Sequence, residues 1–577
     1  MAKITRRTAL ATGLATGAAS CTSAPKLTPL TASAVKADGL FAHGVASGDP
    51  QATSVVIWTR VSAGSDDSVG RSVAINWETA TDTSFNTILN SGETSTSANA
   101  DWTVKILLED LQPGADIYYR FKLGDTASPI GRARTLPAGK MDKASFAVVS
   151  CSNFPYGFFN VYDLIARQDN LDAVIHLGDY FYEYGTDGYG GKSGEQLNRP
   201  HDPAHETLTL DDYRRRHAQY KSDPSAQAMH AKHPMISIWD DHEVSNDSWT
   251  DGAQNHNPKT EGDWNDRRRA ALQAYYEWMP VRDPLPGQPR EALFRSYSFG
   301  DLMTITAIET RLMARSQQIN LNDVAPRLKT AEGLAEFQEN VLWDQSREML
   351  GDAQSDFIDR SLRDSVAADQ PWRIIANQVI MAKIIAPDLN PHVTEEDIIA
   401  LEKEWDQARA FIRLSALGLP SNLDAWDGYP AARERFYETA KNASTDGIVV
   451  LTGDTHTWWA NDLKTSDGDL MGVELGVHSV TSPSPYDSSF LGGKGAEYAL
   501  LTNKENKDVR YLSGEDHGFI ALSVTKEEIN ATFMAVDTVT SPVYNAFEKV
   551  TFEIGKSKGK VKFTGSSGLG FKEGFLF

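Results

Sequence analysis

Four short apolar runs in this chain end abruptly in polar residues. Residues 146–149 stop just before Cys151, and residues 173–177 run into Gly178-Asp179-Tyr180-Phe181-Tyr182. Residues 235–239 run into Asp240-Asp241-His242-Glu243-Val244-Ser245-Asn246, and residues 447–452 into Gly453-Asp454-Thr455-His456. Apolar runs of this length without alternation read as strands buried on both faces. Residues 160–167 carry a helical period between the first two runs, so the pair reads as a βαβ unit and predicts a parallel sheet. In such sheets the reactive groups collect beyond the carboxyl ends of the strands. Cys151, Asp179, Tyr182, Asp241, Asn246, Asp454 and His456 all follow strand ends.

Ahead of this region the pattern changes. Residues 54–60, 72–77 and 117–121 alternate or cluster like half-buried strands, separated by Gly- and Asp-rich turns. Short strands at regular spacing, with no helical period, predict an immunoglobulin- or fibronectin-like β-sandwich over residues 40–137. Leu136-Pro137-Ala138-Gly139-Lys140 reads as the linker into a catalytic domain over 143–540. Residues 186–232 read as a polar helical insertion in which Arg214, Arg215 and Arg216 form a solvated face. Residues 473–477 and 520–524 supply strands of a second sheet, and His517 reads as an ordinary loop histidine. Residues 541–577, rich in Gly, Ser and Lys towards the end, read as a loose tail or a lid.

Length alone, 577 residues, asks for more than one core. A net charge of -22 argues against wrapping nucleic acid, which needs a basic face. A small phosphate ester needs only a local positive centre. Lys3, Arg6 and Arg7 precede an apolar stretch too short to span a bilayer, so residues 1–34 read as a twin-arginine export leader. Two processing sites compete: Ala18-Ala19-Ser20-Cys21, which would leave a lipid anchor on Cys21, and Ala32-Ser33-Ala34. These features predict passage through the twin-arginine export machinery to a periplasmic or secreted destination, with a lipoprotein as the variant. No later stretch is a transmembrane helix. Cys151 is then the one cysteine of the processed chain, and no internal disulfide can form.

Thiolate and phenolate favour a transition metal, whereas carboxylates and amide oxygens favour a hard cation. The mixed set predicts two unlike metals sharing Asp179. Cys151, Tyr182 and His456 would hold a transition metal, for which Fe3+ fits. Asp454, with Asp241 or Asn246, would hold an oxygen-preferring ion, and a metal-bound hydroxide would attack phosphorus.

The motifs Ser150-Cys151-Ser152-Asn153, Gly178-Asp179-Tyr180-Phe181-Tyr182, Trp239-Asp240-Asp241-His242-Glu243 and Gly453-Asp454-Thr455-His456 occur in that order. With Trp426-Asp427-Gly428-Tyr429 and Val480-Thr481-Ser482-Pro483, the chain resembles the PhoD-type alkaline phosphatases, a branch of the calcineurin-like metallophosphoesterases. The resemblance implies a four-layer α/β/β/α sandwich with two central sheets. It also implies Fe3+ with one or two Ca2+, and hydrolysis of phosphomonoesters and phosphodiesters. Cys151, Asp179, Tyr182 and His456 match its iron ligands, and Asp179 and Asp454 match calcium ligands. Asp241 and Asn246 remain alternatives, and His242 is either a ligand or the proton donor to the leaving group. Asp179 and His242 are thus the catalytic candidates. One departure is Glu309-Thr310-Arg311, where relatives read Asp-Thr-Arg, which bears on substrate-side contacts. Two rival readings are a phosphodiesterase or phospholipase acting on lipid headgroups or teichoic-type polymers, and an inactive envelope protein that binds phosphate.

Overall fold

The computed structural model describes residues 28–33, 39–62, 72–403, 406–487 and 493–568. Two sheets face each other at its centre. The first has ten strands, in the order Lys560–Ser567, Ala546–Ser557, Ile529–Val536, Gly518–Thr525, Lys143–Val149, Ala173–His176, Met235–Ser237, Val45–Gln51, Ser54–Arg60 and Thr103–Leu108. The second has seven: Arg295–Phe299, Met303–Ala307, Trp372–Ala376, Ile448–Thr452, Leu470–Gly476, Trp458–Lys464 and Val509–Ser513.

The unbroken apolar runs become strands covered on both sides, because successive side chains point to opposite faces. Phe146 and Val148 join a central core with Ile374, Val449 and Leu451 of the second sheet. Ala147 and Val149 instead pack with Val161 and Ile165 of the helix Asn160–Ala166. On the opposite outer face, Ile448 and Val450 meet Leu362 of the helix Gly351–Ala367 and Phe436 of the helix Pro430–Asn442. Helices, sheet, sheet and helices therefore form four layers.

Lys143–Val149, Ala173–His176 and Met235–Ser237 are parallel and in register, with Val149 opposite His176 and His176 opposite Ser237. Their carboxyl ends are level, which delivers residues 151, 179 and 240 to one edge. Trp372–Ala376 and Ile448–Thr452 run parallel in the second sheet and bring residues 454–456 to the same region. The parallel order is local, since Gly518–Thr525 pairs antiparallel with Lys143–Val149.

The N-terminal β-rich region departs from a self-contained sandwich. Its strands Val45–Gln51, Ser54–Arg60 and Thr103–Leu108 extend the ten-stranded sheet, joined where Met235 pairs with Gly48. A separate five-stranded sheet covers them through a core of Val55, Ile57, Ile75, Val104, Ile117 and Phe121. Glycine is required at the junction, because a Cβ at Gly48 would lie 2.6 Å from the carbonyl oxygens of Met235 and Pro280.

The C-terminal segment is not a lid over residues 541–568. Ala546–Ser557 and Lys560–Ser567 form the outer strands of the ten-stranded sheet, burying Val550, Phe552, Ile554, Val561 and Phe563. Their alternation is masked in the sequence by interleaved Lys and Gly. Leu30–Thr31, within the predicted leader, pairs with Tyr544 and Val543, and the Ser33 N–H donates to Asp163 at 2.9 Å. Arg6, Arg7 and Cys21 lie outside the described residues. Among the described residues no helix is long and apolar enough to cross a membrane.

Candidate metal centre

Four of the sequence-predicted donors meet where the strands end. Cys151 Sγ lies 3.4 Å from Asp179 Oδ2, and Tyr182 Oη lies 3.3 Å from the same oxygen and 2.9 Å from His456 Nε2. His456 Nδ1 sits 2.9 Å from the Pro483 carbonyl, which fixes the tautomer and leaves Nε2 free to ligate. Ser482 donates to Tyr182 Oη at 2.8 Å, and Thr481 to the Asn153 carbonyl at 2.7 Å. The Val480-Thr481-Ser482-Pro483 segment is therefore the wall that supports Tyr182 and His456.

A second donor set adjoins the first. Asp179, Asp241 and His242 offer ligand atoms within 4.8 Å of one another, and so do Asp240, Asp241 and Asp454. The two oxygens of Asp179 point different ways. Oδ2 faces Cys151 and Tyr182, while Oδ1 accepts from the His242 N–H at 3.4 Å. One carboxylate thus touches both sets, which is what a bridge between two cations requires.

Backbone strain concentrates here. Cys151, Asp179, Asp454 and His456 all have positive φ, between 51° and 62°. Non-glycine residues rarely adopt this region, and clusters of them mark sites where geometry is imposed for function. Gly178, at φ 109°, is the glycine that permits the turn; a Cβ there would lie 2.4 Å from that of Asp240.

Sequence reading missed Asp240 and kept Asn246 as an alternative to Asp241. The Asn246 side chain donates to Gln254 at 3.0 Å, and its backbone N–H goes to Glu183 at 2.8 Å. These two bonds anchor the loop. Asp240 follows its strand more directly and lies in the cluster with Asp241 and Asp454. Its Oδ1 takes Arg311 at 2.5 Å, while its buried Oδ2 has no hydrogen-bond partner. A buried carboxylate oxygen without a partner calls for a cation.

Electrostatics agree. Burial, with Asp241 and Asp240 close by, pushes the Asp179 carboxyl well above the usual range despite His242. Burial pushes Asp454 up as well, aided by Asp240. Burial and then Asp179 raise the Cys151 thiol, and burial followed by Cys151 and Asp179 raises the Tyr182 phenol. Burial, reinforced by neighbouring acidic groups, raises them, and cations held among them would reverse each shift. The donors present fit one transition-metal ion beside Cys151 and one hard ion beside the carboxylates.

Three outer groups escaped sequence reading. Glu243 is buried and accepts the N–H groups of Asp179 at 3.1 Å, Tyr180 at 2.6 Å and Asp240 at 2.9 Å. Glu183 accepts from His242 Nδ1 at 2.7 Å, and the His242 ring lies 4.1 Å from that of Tyr182. Burial opposes charge on His242, but Asp241, Glu183 and Asp179 outweigh it and raise its pKa well above the ordinary value. Arg216, expected on a solvated face, is buried and donates to the carbonyls of Tyr182, Tyr184, Pro203 and Asp202, fixing the loop after Tyr182. Its neighbours Arg214 and Arg215 pair with Glu277 and Asp202.

Arg311 is also buried, against Asp240, Asp424 at 2.6 Å and Asp454 at 3.4 Å. Glu309, the departure from Asp, accepts three N–H groups of its own loop and the Trp239 indole. It is buried and shapes the turn that presents Arg311. His517 bonds Ser479 at 3.0 Å and lies in none of the donor groups.

Comparison with known proteins bears on this centre directly. The PhoD-like phosphatase family profile matches residues 146–533, and the profile of the family's N-terminal domain matches 26–137. Alkaline phosphatase D of Bacillus subtilis (strain 168) is 33% identical over 515 residues, covering 87% of this chain and 78% of its own. A solved structure of PhoD superposes with a TM-score of 0.74 at 29% identity, covering 92% of this chain and 93% of that one. With its two central sheets, its donor cluster and these matches, the chain belongs to the PhoD-like phosphatase family.

Proposed function

We propose that the protein is an exported, metal-dependent phosphatase that hydrolyses phosphomonoesters and phosphodiesters at a mixed iron and calcium centre. The observation that carries this reading is the double-facing carboxylate of Asp179, set between a sulfur- and phenol-containing donor set and an all-carboxylate one. Cys151, Asp179, Tyr182 and His456 would hold Fe3+. Asp179, Asp240, Asp241 and Asp454 would hold Ca2+. When bound, such ions supply Lewis acidity at a phosphoryl oxygen and activate water.

The protein's own groups do the rest. Asp454, whose side chain is 19% exposed, lies on the open side where an ester can approach. Arg311, paired to Asp240 and Asp454, keeps those carboxylates aimed inward. His242, oriented by Glu183, is the candidate donor of a proton to the departing alkoxide. The surrounding wall of Cys151, Asp179 and Tyr182 is buried, whereas Asp454 is partly exposed.

We further propose that the N-terminal segment carrying Arg6 and Arg7 directs twin-arginine export. Cleavage after Ala34 would remove Leu30–Thr31 from its pairing with Val543–Tyr544, so processing at Cys21 suits the fold better and would leave a lipid-anchored protein. Mass spectrometry of the mature N-terminus distinguishes the two.

The activity test uses p-nitrophenyl phosphate and bis-(p-nitrophenyl) phosphate with protein of measured iron and calcium content. Turnover of both, lost on stripping and restored by the two metals, is expected. Turnover of the diester alone would give the phosphodiesterase reading, and none with both metals in place would refute hydrolysis.

A further inference from the structure

A cavity of about 450 Å³ opens beside the metal centre. It begins at Asp454, Thr455 and His456 and runs away from the donor cluster between the loops around Ile384 and Asn422. Volumes of this size belong to pockets for small organic ligands, and the phosphoryl group itself would sit among the carboxylates. The lining is mostly apolar. Ile380, Ile384, Leu321 and Leu423 form its aliphatic side, and Phe411 of the helix Ala408–Leu414 contributes a half-buried ring. Trp459, Tyr486 and Tyr498 form an aromatic side, with Tyr486 stacked on Tyr498 at 4.7 Å and edge-on to Trp459 at 5.6 Å. The Trp459 indole donates to Thr455 at 3.0 Å, so this aromatic wall is tied to the same turn that carries Asp454 and His456.

An ester whose phosphorus lies at Asp454 and His456 has an arm that must leave the centre in some direction. The apolar cavity is continuous with those two residues, and burial of apolar surface there contributes binding that a polyol or sugar arm cannot match. We propose that this cavity is the subsite for the alcohol arm and selects phosphate esters whose arm is an alkyl or aryl group. The selectivity rests on the phosphatase reading given above, and the binding does not.

The test measures two quantities with the iron- and calcium-loaded protein. The first is the Kd, by calorimetry, of alkylphosphonates from methyl to octyl, together with phenylphosphonate and 3-hydroxypropylphosphonate. Their C–P bond is not an ester, so binding is read without turnover. Affinity should rise by up to about fourfold per methylene until the cavity is filled, and butylphosphonate should bind at least tenfold more tightly than its hydroxyl isostere. The second is kcat/KM for the matching alkyl phosphates, which should follow the same order. Phe411→Ala should lower the octyl-to-methyl ratio in affinity about tenfold, with Phe411→Leu restoring most of it. Leu321→Ala serves the same purpose should Phe411→Ala not fold. Equal affinity along the series, or equal binding of butyl and 3-hydroxypropyl arms, overturns the subsite. A rising affinity series without hydrolysis of any ester would uphold the subsite and refute the phosphatase reading instead.

Discussion

Glu243 offers the sharpest test of how this fold builds its centre. Its carboxylate is buried and binds no cation in the scheme above; it holds the N–H groups of Asp179, Tyr180 and Asp240. Those contacts pin two turns, one carrying Asp179 at φ 54°. Glu243→Ala would leave three buried N–H groups without acceptors, at about 1–3 kcal/mol each. The total is comparable with the stability of a whole domain, so that variant is expected not to fold.

Glu243→Gln is the informative one. With its oxygen at the Oε2 position the amide still serves Asp179 and Asp240, but its NH2 opposes the Tyr180 N–H. The loss is then one acceptor, about 1–3 kcal/mol. Outer groups of this kind typically change metal affinity 10- to 100-fold, or about 1.4–2.7 kcal/mol at 1.36 kcal/mol per decade. The two figures match, as they should if the turn is what positions the donors. The assay pairs competition with a chelator of known affinity, reading iron and calcium release, with urea unfolding of the metal-free protein. Lower stability with unchanged metal affinity would show that Glu243 only supports the fold. Wild-type values in both would refute the account.

Three further outcomes are expected. A phenolate on Fe3+ absorbs in the visible, so the loaded protein should be coloured, and Tyr182→Phe should lose the band; a colourless, iron-free, fully active protein would exclude iron. Asp179→Asn should lower iron and calcium occupancy together, measured by elemental analysis with circular dichroism as the folding control, whereas loss of calcium alone would show a single-site ligand. Away from the centre, burial pushes Glu474 up to about 7 despite N–H groups from Met381 and Ala382. A raised carboxyl contributes stability that is present below pH 4.5 and lost as pH rises through 7, here roughly 3 kcal/mol. Glu474→Gln should therefore flatten urea-unfolding stability between pH 5 and pH 8, and an unchanged slope would count against a protonated Glu474.

Much of the site was legible because each donor stands just beyond an unbroken apolar run, and buried strands advertise themselves. Cys151, Asp179, Asp454 and His456 were found that way. Asp241 and Asn246 were not separable by such reasoning, since both follow the same strand, and Asp240 was passed over beside them. Glu183 and Glu243 were visible as letters, but their work is done on N–H groups and an imidazole brought near by folding. Arg216 misled for a similar reason: a run of three arginines looks solvated, yet the helix turns one of them onto four carbonyls. The shared sheet was illegible because it depends on one residue pairing, Met235 with Gly48, between segments distant in the chain.

The order of strands in the ten-stranded sheet dictates when during synthesis the protein can become itself. Lys143–Val149, which leads to Cys151, has Gly518–Thr525 as one of its two neighbours. At about 5–20 residues per second, the ribosome needs on the order of tens of seconds to make what lies between them. Throughout that interval one edge of the strand is uncovered, and Asp454 and His456 are for much of it not yet made. A nascent chain stopped short of residue 546 would still lack Ala546–Ser557, which covers Ile529–Val536, and Lys560–Ser567 beyond it. Metal capture must then be a late event, waiting at least until Asp454 and His456 have been made.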